Sequence, residues 1–172
     1  MPFLPKAHGL STLLAAVAVS MVASQAAAAA VQAPHRAVYD LSLSRASQGS
    51  GVNGVDGRMV FEVTGSACEG YSVTFRLVNR YSYREGTSRL VDVQSTTFEA
   101  GDATRFDYQE KEIIDNAAGS EKRTLVERGG PDAEGDGEIR LPQSKTFKLA
   151  SGAMFPMQHQ LNVIEAAMKG ED

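Results

Sequence analysis

The sequence has 172 residues, 42% of them hydrophobic, with a formal net charge of -4 and a single cysteine. The length fits one domain, and the mild acidity, without a basic run or aromatic-basic interleaving, argues against nucleic acid as a partner. One cysteine also excludes a framework of internal disulfides.

The first thirty residues read as a secretory signal peptide: Lys6, an apolar run from Leu10 to Val22, and a small-residue tract in which Ala28 and Ala30 form an A-x-A site. The run is shorter than the roughly 20 residues that span a bilayer. Cleavage after Ala30 leaves Val31 to Asp172 as a single β-rich domain with no transmembrane segment, exported to an oxidising compartment.

Alternation dominates the rest. In HRAVYDLSLSR, Ala37, Tyr39, Leu41 and Leu43 share one face of an extended strand, with Arg36, Asp40, Ser42 and Ser44 mostly opposite. Met59, Phe61 and Val63 repeat the pattern. A longer strand carries Tyr71, Val73, Phe75, Leu77, Tyr81 and Tyr83, with Thr74, Arg76, Arg80 and Arg84 facing away. Further strands are predicted over Leu90–Glu99, Thr104–Glu112, Glu121–Arg128 and Asp136–Leu141, separated by EGTS, AGD, NAAGS and GGPDAEGDG. Connections this short do not accommodate helical crossovers, so the sheet is expected to be antiparallel. From Pro156 to Lys169 the period changes: Met157, Leu161, Ile164 and Met168 recur at helical spacing, Pro156 suits the first helical position and Gly170 can end the helix. That apolar stripe should lie on the hydrophobic face of the sheet.

Candidate chemistry is sparse. Gly49, Gly51 and Gly54 spell GxGxxG, but a β-patterned segment follows where a phosphate-binding helix would have to start, so a hairpin connection is expected. His35 and His159 stand far apart, with no carboxylate or cysteine at metal-ligand spacing. His35 should begin the first strand, and His159 should sit in the first turn of the helix, facing solvent or hydrogen-bonded locally. Glu110 and Glu112 share a strand face, which suits repelling surface carboxylates better than an acid-base pair. No local signature marks Cys68 as a nucleophile. A disulfide partner is the natural expectation for an exported cysteine. No catalytic set, metal site or cofactor is expected.

Four stretches, HRAVYDLSL, GRMVFEVTGSACEGYSVTFR, EGTSRLVDVQSTTFE and FPMQHQLNVIEAAMKGE, together resemble the EipB family of periplasmic cell-envelope integrity proteins. In order and spacing they cover the whole mature chain, though little more than the first half of a family member. The resemblance implies a mainly β fold: an antiparallel curved sheet, a β-spiral or open barrel-like layer similar to periplasmic lipoprotein carriers, with one amphipathic helix near the C-terminus. It implies a non-catalytic periplasmic protein that supports envelope integrity through contacts with other envelope proteins. The alternative is a carrier that shelters lipid or lipoprotein acyl chains in the curve of the sheet, with Tyr71, Val73, Phe75 and Leu77 as the concave apolar face. The resemblance also implies that Cys68 corresponds to one half of the family's disulfide, its mate lying outside this chain. The domain is therefore expected to be incomplete on its C-terminal side, with an unpaired edge, and marginal or self-adhesive when isolated.

Overall fold

The structure, a computed structural model, describes residues 30–171. Apart from Ala30, the predicted leader lies outside the described residues. Eight strands, β1 (His35–Ser42), β2 (Val52–Ser66), β3 (Gly70–Tyr83), β4 (Ser88–Glu99), β5 (Arg105–Ile114), β6 (Ala117–Arg128), β7 (Gly135–Leu141) and β8 (Lys145–Leu149), precede one helix, α1 (Pro156–Lys169). Every strand pairs antiparallel with its neighbour in sequence, in spatial order β1 to β8. The sheet is curved and does not close, since β1 pairs only with β2 and β8 only with β7 among the described residues. The short connections seen in the sequence enforce this meander.

Register divides the sheet into two faces. One row, Ala37, Phe61, Phe75, Ser95, Glu110 and Lys122, runs across β1 to β6 on the side where α1 packs, here called the inner face. The neighbouring residues Val38, Val60, Arg76, Gln94 and Lys111 form the outer face. There the Arg76 guanidinium donates to both oxygens of Asp92 at 3.1 and 2.7 Å. Asp92 is only 9% exposed, so this fork meets a carboxylate that burial would otherwise penalise.

Two small apolar clusters line the inner face. Val63, Tyr71 and Met157 form the first, flanked by Phe61, Val73 and Leu161. Ala103, Val126 and Phe155 form the second, flanked by Phe106, Phe147 and Leu149.

The structure corrects three expectations. NAAGS is not a loop: Asp115 and Asn116 alone turn the chain, both at positive φ (51° and 65°), and Ala117 already belongs to β6. Two residues that tolerate the left-handed region make the tight hairpin possible. A further strand, β8, follows the cis peptide before Pro142 and sends Phe147 opposite Gly137, whose missing side chain makes room for the ring. Finally, the apolar stripe of α1 is only partly used: Met157 is buried and Leu161 packs on the first cluster, whereas Met168 is 67% exposed. The helix bounds themselves follow the sequence pattern, with Pro156 in the first turn and Gly170 in the left-handed conformation at the end.

Candidate functional site

The residue before α1 is Phe155, which has no side-chain acceptor for the free N–H groups of a helix start. The cap comes from β4 instead. Glu99 lies at the end of that strand, opposite Tyr71 on one side and Phe106 on the other. Its two carboxylate oxygens accept from the backbone N–H groups of Met157 and Gln158, each at 2.8 Å. An anion at a helix N-terminus is favoured by the helix dipole as well.

Arg128, at the end of β6, completes the joint. Its Nε donates to the Ala103 carbonyl at 2.8 Å, one terminal nitrogen donates to the Ala153 carbonyl, and the other donates to Gln158 Oε1 at 2.9 Å. The guanidinium also lies over the Phe155 ring, 4.0 Å from its centroid, and that ring stacks on Phe106. Both charged residues are buried, Glu99 at 6% exposure and Arg128 at 8%. Burial pushes the Glu99 carboxyl above the usual carboxylate range, an effect the two N–H donors and the Arg128 charge only partly offset.

Beside this joint lies a cavity of about 410 Å³ lined by Tyr71, Glu99, Gly101, Pro131, Met157 and Leu161. A larger recess of about 560 Å³, at the opposite end of the sheet by Tyr83, Arg84 and Asp115, is the more polar of the two and holds none of the joint's residues.

Cys68 sits in the β2–β3 turn as an exposed free thiol. The turn packs closely against the β4–β5 turn. A Cβ at Gly101 would lie 2.2 Å from the Ala67 carbonyl oxygen and 2.9 Å from that of Cys68, and Gly70, at φ 105°, passes as closely over the Glu99 carbonyl. Only glycine permits both approaches. The cysteine turn and the helix joint are thus neighbours through one short segment, residues 99–103.

The apolar row of β3 lies on the inner face as a unit. Tyr71 is buried, Val73 packs against the first cluster, and Phe75 and Leu77 are half-buried farther along the strand. Glu110 and Glu112 are not a bare repelling pair: Lys122 donates to Glu110 at 2.8 Å, Tyr108 donates to its other oxygen at 2.6 Å, and Ser120 donates to Glu112. The Lys122 hydrogen bond leads the effects that hold Glu110 below its ordinary range, while desolvation, followed by the Glu110 carboxylate, pushes the Tyr108 phenol up to about 12. His35 opens β1 and His159 is an exposed residue of the first helical turns. The GxGxxG stretch forms the β1–β2 connection and the start of β2, with Gly49 and Gly51 at positive φ. Among the described residues no three His, Cys, Asp or Glu side chains are grouped to hold a metal ion, and no helix is long and apolar enough to cross a membrane.

Glu99 and Arg128 went unmarked in the sequence. The signal that points to them is indirect: a helix start at Phe155–Pro156 with no Ser, Thr, Asp or Asn before it needs a cap from elsewhere.

An open antiparallel meander with one helix latched to its inner face defines a barrel-like β protein. The sequence model of the EipB-like family matches residues 26–172, and the chain belongs to that family. It is 40% identical over 154 residues to the cell envelope integrity protein EipB of Brucella abortus (strain 2308), covering 87% of this chain and 52% of the relative. It is also similar to the crystal structure of a beta-barrel-like protein of a domain of unknown function from Brucella abortus. The TM-score is 0.74 at 39% identity, over 81% of this chain and 58% of that one. The chain thus spans about half the length of the curated relative it matches.

Proposed function

We propose that this chain is a non-catalytic periplasmic protein that supports cell-envelope integrity through contacts with other envelope proteins. The observation that carries this reading is the 40% identity to a relative named for cell-envelope integrity. The chemistry fits it: the buried charges Glu99 and Arg128 are spent on holding a helix, and Glu110 is neutralised by Lys122. Deleting the gene in its own host should sensitise cells to detergent and to cell-wall antibiotics. Restoring the full chain should reverse this, whereas a version without residues 1–30 should not. Rescue by the leaderless version would refute the periplasmic placement, and unaltered sensitivity in the deletion strain would refute the envelope role.

A second reading is a carrier for lipid or lipoprotein acyl chains. Phe75 and Leu77 favour it, since they remain half-buried on the inner face beyond the cluster that α1 covers. Native mass spectrometry of protein taken from cells should then detect bound lipid, and replacing both residues by serine should abolish it. In either role, Cys68 serves as one half of a disulfide with a cysteine outside these residues, and its exposed thiol is accessible to such a partner.

A further inference from the structure

The two edges of the sheet are built differently. β8 is five residues long and presents Lys145 and Lys148 to solvent, the usual protection of an edge against another strand. β1 is eight residues long, contains no lysine, and leaves Val38 54% and Tyr39 51% exposed, one on each face of the sheet.

The hydrogen-bond phase of β1 decides what its free edge can accept. The Leu43 N–H donates to the Val55 carbonyl at 3.0 Å, and the β1–β2 register continues that pairing through Leu41–Gly57, Tyr39–Met59 and Ala37–Phe61. In an antiparallel ladder the hydrogen-bonded positions alternate, so the odd-numbered residues bond to β2. Arg36, Val38, Asp40 and Ser42 therefore turn their N–H and C=O groups away from the sheet.

We infer that this edge pairs with the same edge of a second copy of the chain, antiparallel about a two-fold axis through Val38, to give one continuous sheet of sixteen strands. In that register Val38 meets Val38 of the second copy, and Arg36 of each copy lies directly opposite Asp40 of the other. Ala37 lies opposite Tyr39, a small residue facing a large one. Along the outer face, Asp40 is already paired with Arg58 at 2.8 Å and Arg36 lies opposite Glu62. The seam thus reads Arg58, Asp40, then Arg36 and Glu62 of the second copy, alternating in sign at every step, and the two-fold axis repeats the series. Among the described residues Arg36 has no ion-pair partner within its own chain. Shifting the axis to Ala37 or to Tyr39 places neither charge opposite its counterpart, so electrostatics selects the Val38 axis. The self-complementary patch on both subunits is what a closed two-fold dimer requires.

Sedimentation velocity on the purified protein over a micromolar concentration series tests this. The wild type should show a reversible monomer-dimer equilibrium. V38P removes an N–H that β2 does not use and should leave only monomer, while its thermal melt by circular dichroism shows that the fold persists. R36D and D40R each place like charges opposite one another and should weaken the dimer about tenfold or more. Mixing these two variants restores opposite charges at both positions, so native mass spectrometry should detect the heterodimer in preference to either homodimer. A wild type that stays monomeric throughout would overturn the proposal. So would a dimer unaffected by V38P, or a mixture of R36D and D40R that fails to associate.

Discussion

The two ends of α1 are held by different physics. The first turn is fixed by directed contacts, with the Glu99 carboxylate on two N–H groups, Arg128 on Gln158 and on the Ala153 carbonyl, and Phe155 between Phe106 and the guanidinium. The last turns rely on an apolar stripe that the sheet does not reach, and Val163 and Met168 stay exposed. The difference teaches that helix position here is set at one end, by directed polar contacts and the buried side chains beside them, while the far end contributes little.

The largest effect should come from the buried aromatic of the second cluster, which sits at the helix joint. Phe155→Ala removes a buried ring that stacks on Phe106 and lies under Arg128, and should cost about 3–5 kcal/mol by chemical denaturation. A loss below about 1 kcal/mol would mean that the helix start is not packed as described. Arg128→Ala should cost about 2–3 kcal/mol, because it leaves two carbonyls unmet and the Glu99 carboxylate without its nearby cation. Substitution by lysine should recover little, since an ammonium group cannot serve three directions in one plane.

Glu99 sharpens the comparison through pH. Its folded-state pKa lies above the ordinary carboxylate value, so the native protein holds this proton more tightly than the unfolded chain does. The contribution is fully present below the unfolded pKa and is lost as pH rises through the folded one. Relative to Glu99→Gln, the wild type should therefore gain stability on acidification from pH 7 toward the ordinary glutamate range of about 4.3. Melting temperatures of both proteins across that range check it, and a gap that moves the other way would show that the two N–H bonds outweigh burial. Asp92, held low by Arg76, has the opposite sign and loses its contribution only as pH falls through its depressed pKa. The smallest effect belongs to the far end: Met168→Ser should change stability by no more than about 0.5 kcal/mol.

Much of the architecture was legible because it is local. Alternation in β1, β2 and β3 marks the inner face, the brief connections require an antiparallel meander, and Pro156 and Gly170 bracket the helix. What escaped depends on partners distant in sequence or on backbone geometry. Ala117 to Ser120 look like a turn by composition, yet the left-handed Asp115–Asn116 pair performs the reversal and frees them to extend β6. β8 has only two apolar residues, Phe147 and Leu149, too few for periodicity to stand out; its place becomes evident once Gly137 is seen to receive the phenyl ring. The latch is the extreme case, since Glu99 and Met157 lie 58 positions apart and neither belongs to a recognisable motif. That Cys68 neighbours this latch, through Gly101, could be read only from the packed turns.

A sheet ordered β1 through β8 along the chain also has a kinetic corollary. Each strand finds its mate immediately upstream, so closure entropy is small at every step and the layer can grow by successive hairpins. The helix is the exception, because it must travel back across four strands to reach Glu99. Loop-closure entropy therefore places its docking after the sheet has formed, an order in which the aromatic and aliphatic side chains it covers stay wet until the end.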